Sequence, residues 1–432
     1  MKLNNWYKIY KSPLLYILIF ALAIHMYFIV KDPGSVFHEP ETFGKEVSIY
    51  GSLDASKYSK MAWQLLHDGI YGYAEAKPNA FVTPGQPFYL AAIFQVSEWI
   101  HVDHVLLAKL VNMLLDLGII ALIYAISQLL FRNVYIASIS SFLYATYFSS
   151  YHFFRTTLTE IPSMFFFMLS IFIFLLLLKK DSFRLHTLFG VIAAITLMFR
   201  PTPAPLLLIA WGIIIYKHGL KKAIKIGLIW CIGPVVIMGP WVIRNLLVFG
   251  HAYLFSSHAG DPLLSGANPF YMYDEDKMQQ SMLHAGYSLT SEDKARYARY
   301  LIKDGFTNNF ALWFSWFTVG KTISLFTGPD GTYLYWNYFK PWVMEAFKNQ
   351  HLFVVITALL GTITLRKNKK VVLFSMIIWG YIALSNIFLV ILRYGFFIIP
   401  CICIISGCFL VYSSESIYRA LQKVRSIVVK KA

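Results

Sequence analysis

FRTTLTEIPSMFFFMLSIFIFLLLLKK, residues 154–180, holds one acid, Glu160, then eighteen uncharged residues from Ile161 to Leu178, then Lys179 and Lys180. A helix needs about 20 apolar residues to cross the hydrocarbon core of a bilayer, and this run supplies nearly that. The two lysines at its end are the kind of flank that stays in the cytoplasm. The rest of the chain agrees, with 57% of its 432 residues hydrophobic and only 14% charged, where soluble domains carry about 25% charged residues. A water-soluble enzyme is excluded, and so is a disordered chain. Residues 1–432 therefore read as a single membrane domain. Cys231, Cys401, Cys403 and Cys408 all lie in apolar runs, which suggests neither a disulfide framework nor a zinc site.

The formal net charge of +16 is decided by position. Basic residues cluster in short gaps between apolar runs: Lys2, Lys8 and Lys11; Lys179, Lys180 and Arg184; Lys217, Lys221, Lys222 and Lys225; Arg366, Lys367, Lys369 and Lys370; and a basic tail over 413–432. The positive-inside rule places such gaps in the cytoplasm, so the surplus speaks for topology and not for nucleic acid. The long polar segments 31–86 and 242–310 are balanced, with five Lys against seven acids and six Lys/Arg against seven acids. They go outside. Alternating sides then gives about ten spans: Pro13–Val30, Val105–Phe131, Val134–His152, Ile161–Leu178, Leu185–Phe199, Ala204–Tyr216, Ala223–Trp241, Leu352–Leu365, Val371–Leu392 and Phe396–Tyr412. Both termini fall in the cytoplasm. Pro87–Ile100 and Phe310–Phe326 do not fit as spans and read as helices in the outer interface. The external regions are thus 31–104 and 242–350, and Pro13–Val30 reads as an uncleaved first span.

Two acids stand on the outer side. In LDASKYSKMAWQLLHDG, residues 53–69, Tyr58, Met61, Ala62, Leu65 and Leu66 share one face of an amphipathic helix, suited to lying on the membrane surface. Asp54 at its start is either the helix N-cap or a general base or metal ligand. Glu160 opens the span quoted first, and it is either a first-turn acid or the second member of an acid/base pair or divalent-cation site. Arg200 in FRPTP, Arg244 in GPWVIRN and Arg393 in ILRYG end apolar runs on the outer side. Arginine there is against the topological grain, and its planar, permanently charged fork suits phosphate. Lys57, one turn after Asp54, is a further candidate cation. His251 and His258 follow Arg244 and are candidate ligands or donors without a recognisable metal spacing. Lys109, Asn112 and Asp116 share a face of the second span and read as a buried polar relation within the bundle. Walker A, GxGxxG and GxSxG motifs are absent from the sequence.

The order of a first-loop Asp before an amphipathic helix, TPGQPFYL, TEIPSMFFF, FRPTP, GPWVIRNLLVFG and LRYGFFIIP resembles the GT-C class of polyprenyl-phosphate-dependent glycosyltransferases, over roughly residues 1–415. Within it the chain looks most like bacterial relatives of protein mannosyltransferases and aminoarabinose transferases. The resemblance implies an all-α membrane bundle with amphipathic juxtamembrane helices in two external loops. It also implies a plasma-membrane enzyme that moves a sugar from a polyprenyl-phosphate carrier to an extracytoplasmic acceptor, with its site on the outer face. Asp54 would match the acid that activates the acceptor, and Glu160 the acid that assists it or holds a divalent cation. Arg200, Arg244 and Arg393 would match positions near the lipid phosphate. The chain departs from the family where Leu53 and Ala55 flank a single Asp54, where Thr83-Pro84-Gly85 replaces PPG, and in lacking a large C-terminal soluble domain. A flippase of lipid-linked saccharide is the rival function, for which inverted repeats and broken midplane helices would be expected.

Overall fold

The computed structural model describes residues 12–31, 52–73, 75–329 and 339–431, with side chains to residue 423. Lys2, Lys8 and Lys11, residues 32–51 of the first loop and the side chains of Lys430 and Lys431 lie outside it.

Every element among the described residues is helical. Among the described residues five helices are long and apolar enough to cross a bilayer: Pro13–Lys31, His104–Phe131, Glu160–Lys179, Pro341–Thr364 and Ile399–Lys423. A sixth forms if Leu220–Ile237 and Gly239–Phe249, bent by 50°, count as one span. Other expected spans fall on shorter apolar helices, among them Val134–Ala145, Phe183–Phe199 and Pro205–His218. Val134–Ala145 has 12 residues, about 18 Å of helix at 1.5 Å per residue, against a hydrocarbon core of about 30 Å. Thr146 ends it and Phe148–Phe153 forms a separate turn. Gly233-Pro234 and Gly239-Pro240 similarly divide the run around Ala223–Trp241 into pieces, because proline offers no N–H to the preceding turn.

Glu160–Lys179 is the middle of the bundle, with 67% of its apolar length buried against 28% for Pro13–Lys31. It packs on His104–Phe131 and Phe183–Phe199, and its Met164, Phe167 and Ile171 share the main core with Ile120, Ile123 and Phe397. Ile399–Lys431 packs against Val134–Ala145 and Pro341–Thr364. Tyr16, Ile19, Tyr27 and Val30 of the first helix stay exposed, an apolar surface of the kind that faces lipid. Within the bundle, Asp116 is held by His25 Nε2 at 2.8 Å and accepts from Tyr144 at 2.7 Å and Ser150 at 2.5 Å. Asn112 instead donates to the Thr156 carbonyl and accepts from Tyr89.

Leu53–His67 is helical and ends at Gly69, whose φ of 66° suits glycine. Its apolar face is covered in part by protein. Gly85–Ile100 packs against it, and Ala62 is fully buried beside Leu90, Phe94 and Ala108. The stretch 310–325 is helical but interrupted by a π turn, Trp316–Gly320, after which Lys321 is fully buried.

Candidate active site

Asp54 stands in the first turn of Leu53–His67 but is not its cap: the Ser52 hydroxyl accepts the Ala55 N–H at 3.2 Å and takes that role. The Asp54 carboxylate is thereby left for tertiary partners. Its Oδ2 lies 2.9 Å from Arg393 Nη2, and its Oδ1 accepts from the Tyr73 hydroxyl at 3.2 Å. Arg393 comes from the short helix Leu392–Phe396, which packs on Lys321–Leu325. Gly395 is required there, since a Cβ would come 1.9 Å from the Leu325 carbonyl oxygen.

Glu160 is the first residue of its helix and fully buried. Its Oε1 meets Arg200 Nη2 at 2.5 Å and lies 3.9 Å from Arg393 Nε. Arg200, which follows the last residue of Phe183–Phe199, also donates from Nε to the Thr159 hydroxyl at 2.8 Å. Both guanidinium groups lie over the Tyr394 ring, at 5.2 and 5.5 Å. Asp54, Arg393, Glu160 and Arg200 thus form one alternating chain of charge assembled from distant parts of the sequence. Two atoms in it are buried with no hydrogen-bond partner, Glu160 Oε2 and Arg393 Nε. Buried polar atoms are nearly always satisfied by protein or water, so each of the two has capacity for one further hydrogen-bond partner.

Electrostatics keeps Asp54 ionised. Burial alone would push its carboxyl up, but the charge and hydrogen bond of Arg393, the Tyr73 hydroxyl and the charge of Lys57 outweigh it and hold it below the ordinary carboxylate range. Lys57 itself lies 5.0 Å over the Tyr73 ring and acts on Asp54 through its charge.

Next to this chain is a cavity of about 260 Å³ lined by Tyr58, Phe81, Thr159, Arg200, His258 and Arg393, among others. A larger apolar groove of about 820 Å³ adjoins it, sharing Phe199, and is walled by Phe88, Phe166, Ile195, Trp241 and Val248. Arg244 is the charged residue of the groove and so does not join the other arginines. It donates to the Asn79 carbonyl at 2.8 Å and to Asn245 Oδ1 at 2.9 Å, and it lies against the rings of Tyr71, Trp241 and Phe249. Among the described residues it forms no ion pair. Thr83-Pro84-Gly85 runs between groove and cavity: Thr83 donates to the Phe199 carbonyl at 2.9 Å, and a Cβ on Gly85 would come 2.7 Å from the backbone of Met198 and Phe199.

Of the sequence candidates, Asp54, Glu160, Arg200 and Arg393 come together, Lys57 sits one residue away on Tyr73, and Arg244 stands apart in the groove. Tyr73, Thr159 and Tyr394 were missed, since single polar or aromatic residues beside a charged one carry no spacing signal. His251 neighbours Tyr253, whereas His258 lines the cavity. Among the described residues no group of three His, Cys, Asp or Glu side chains is placed to share a metal ion. The two carboxylates are each engaged by an arginine, which does not fit a divalent cation in this arrangement.

The chain is a multi-pass membrane protein with the GT-C glycosyltransferase fold. Over 97% of its length it is similar to the archaeal oligosaccharyltransferase AglB from Archaeoglobus fulgidus in complex with an inhibitory peptide and a dolichol-phosphate, with a TM-score of 0.52 and 14% identity. The apo form of the A. fulgidus oligosaccharyltransferase gives a TM-score of 0.54 at 12% identity over the same 97%. The chain spans about half of those proteins, 52% of their length. ArnT from Cupriavidus metallidurans bound to undecaprenyl phosphate is matched over 92% of this chain and 77% of its own, at 12% identity and a TM-score of 0.41. No protein-family model matches the chain, and no curated protein matches it in sequence.

Proposed function

We propose that the chain is an inverting glycosyltransferase that moves one sugar from a polyprenyl-phosphate carrier to an acceptor hydroxyl outside the plasma membrane. The observation that carries this reading is the alternating Asp54–Arg393–Glu160–Arg200 chain, with two buried unpaired atoms, opening beside an apolar groove that holds a single cation, Arg244. A transferase of this kind needs an apolar path for an isoprenoid, cations for its phosphate and a carboxylate for the acceptor, and all three adjoin. AglB and ArnT, solved with dolichol-phosphate and undecaprenyl phosphate, have ligands of this class. The topology that goes with the reading has about ten spans, cytoplasmic termini, and regions 31–104 and 242–350 outside.

The isoprenoid lies in the groove and its phosphate meets Arg244 and the arginines of the cavity. As the bond from the anomeric carbon to the phosphate oxygen breaks, its electron pair goes to the phosphate, and fixed guanidinium groups stabilise the charge that develops there. The acceptor oxygen forms the new bond from the opposite face, with its hydroxyl hydrogen-bonded to Asp54. Glu160 holds Arg200 and Arg393 in place.

The test is reconstitution of the full chain in liposomes with a panel of radiolabelled polyprenyl-phosphate hexoses and pentoses. Transfer to an acceptor fraction by the wild type, and its loss in Asp54→Asn, is expected. Movement of the labelled lipid between leaflets without any transfer would favour the flippase and overturn the reading.

A further inference from the structure

We propose that an apolar groove at the lysine end of the bundle, the end opposite Glu160, holds one acyl chain of an anionic glycerophospholipid, whose phosphate sits between Lys221 and Lys225. The inference stands apart from the transfer reading and needs no sugar donor.

Glu160–Lys179 is a 20-residue helix, so about 30 Å separates Glu160 from Lys179. At that far end the gaps 179–184 and 217–225 hold seven Lys and Arg against one acid, Asp181. The fold brings the gaps together: Lys222 donates to Asp181, His186 Nε2 lies 2.9 Å from the same carboxylate, and Lys217 donates to the Leu178 carbonyl at 2.5 Å. Asp181 is thus occupied, and Lys221 and Lys225 are exposed with no ion pair among the described residues.

Helix Leu220–Trp230 has three faces. Ala223, Ile226 and Trp230 are buried and pack with Phe189, Ala210 and Ile214. Ile224, Gly227 and Leu228 wall a groove of about 370 Å³ together with Trp211, Gly190 and Leu197. Lys221 and Lys225 form the third face. It borders the groove, since Lys221 and Ile224, and likewise Lys225 and Leu228, are three residues apart and so neighbours on the helix surface. The two lysines are themselves four apart, a like-charge spacing that disfavours the helix unless an anion offsets it.

The groove suits a hydrocarbon chain. Its lining is apolar, and its indoles are satisfied within the protein, Trp211 Nε1 by the Ala223 carbonyl at 3.2 Å and Trp230 Nε1 by His186 Nδ1 at 3.1 Å. From Ile224 to Pro234, both in its wall, the chain rises about 15 Å. That is half of a hydrocarbon core about 30 Å thick, hence the depth of one leaflet. Leu208, Leu228 and Val235 at its edge are exposed, as on a surface that faces lipid, so the occupant comes from the membrane. It shares no lining residue with the larger groove: on Phe183–Phe199, Gly190, Ala193 and Leu197 line the one and Ile195, Met198 and Phe199 the other. Basic pockets at a membrane surface select anionic head groups, and groove and cations together specify a lipid over a soluble phosphate.

Cys231 lines the groove and is the exposed one of the four cysteines, which makes it a reporter of occupancy. The full chain in detergent is alkylated with N-ethylmaleimide while phosphatidylglycerol, or phosphatidylcholine with the same acyl chains, is titrated in. Phosphatidylglycerol should protect Cys231 at a concentration at least about tenfold lower than phosphatidylcholine, and glycerol phosphate should not protect. Lys221→Gln with Lys225→Gln should erase the difference between the lipids. Lys367→Gln with Lys369→Gln, exposed cations of another gap, should leave it intact. Gly227→Leu fills the groove, with nothing closer to the new Cβ than Trp211 Nε1 at 3.4 Å, and should abolish the one phosphatidylglycerol per chain counted by native mass spectrometry. Equal protection by the two lipids, protection by glycerol phosphate, an equal effect of the control pair, or phosphatidylglycerol retained by Gly227→Leu overturns the proposal. So does protection by undecaprenyl phosphate at a lower concentration than phosphatidylglycerol, which would make the groove part of an isoprenoid path.

Discussion

Removing the Arg200 guanidinium probes the charge chain at its most buried link. Glu160 has a side-chain exposure of 1% and Arg200 of 13%, and they meet at 2.5 Å. Arg200→Met leaves the carboxylate with Arg393 Nε at 3.9 Å as its remaining guanidinium neighbour. Two unit charges about 4 Å apart interact by about 4 kcal/mol at an effective dielectric near 20. Breaking a buried pair by deleting one partner costs about 3–5 kcal/mol, because the other charge stays buried. Replacing both partners removes the stranded charge along with the attraction, and is often close to neutral. Arg200→Met should therefore lower the thermal midpoint of the detergent-purified protein by several degrees, followed by tryptophan fluorescence. Adding Glu160→Gln to it should recover at least half of that loss. The coupling between the two substitutions should reach about 2 kcal/mol, well beyond the 0.3–0.5 kcal/mol scatter of independent sites. Strict additivity would show that the pair is not a linked unit and would refute the account of the site as a neutralised chain. Transfer activity should stay low in the double variant, since stability returns without the cation proposed to meet the phosphate.

Arg244→Met should weaken binding of a fluorescent polyprenyl phosphate at least tenfold, a loss of about 1.4 kcal/mol, and ligand titration with unchanged affinity would remove Arg244 from the phosphate. Gly85→Ala puts a methyl 2.7 Å from the backbone of Met198 and Phe199, an overpacking that costs about 1–3 kcal/mol and should lower the melting midpoint and transfer together. Lys321 is buried and donates to the carbonyls of Asn386 at 2.7 Å and Phe388 at 3.1 Å, and burial brings its pKa down to about 7. Its folded pKa lies below the unfolded value, so between about pH 7 and 10 the unfolded chain binds more protons and stability rises with pH. Midpoints measured from pH 6.5 to 9.5 should climb in the wild type and flatten in Lys321→Met.

The membrane class was legible because it rests on a property that needs no folding: eighteen uncharged residues before Lys179 cross a bilayer wherever they are placed. The division of the spans into helices was less so. Val134–His152 reads as one apolar run, but Thr146 and a second short helix divide it, and hydrophobicity does not distinguish a break from a turn of helix. The outer acids and arginines stood out because charge at the end of an apolar run costs free energy unless it is used. Their pairing did not, since Asp54 and Arg393 are 339 residues apart and no local period links them. Asp54 as N-cap failed for a local reason: Ser52 was also available and sits at the geometrically right position. The amphipathic face of Leu53–His67 was correctly located but its protein cover was not, because a half-polar helix fits a membrane surface and a neighbouring helix equally well.

The site is balanced in its resting form, and that balance bears on how it works. Asp54 and Glu160 carry two negative charges, Arg393 and Arg200 two positive ones, and each arginine is bonded to a carboxylate. On the proposed reading a donor phosphate entering from the groove would add negative charge and compete with the carboxylates for the same guanidinium groups, and Arg393 Nε has no hydrogen-bond partner among the described residues. As Arg393 turns part of its charge to the phosphate, Asp54 loses the strongest influence that holds its carboxyl low. Its affinity for a hydroxyl proton rises at the moment an acceptor is needed and not before. On that reading, donor binding would prepare the acceptor side of the site and discourage reaction in its absence. The consequence is measurable in the order of binding. Acceptor affinity should rise when a non-transferable polyprenyl phosphate occupies the groove, and Arg393→Lys, which keeps the charge but loses the fork that bridges two partners, should erase that gain. An acceptor affinity indifferent to the lipid phosphate would mean that Asp54 and Arg393 act independently.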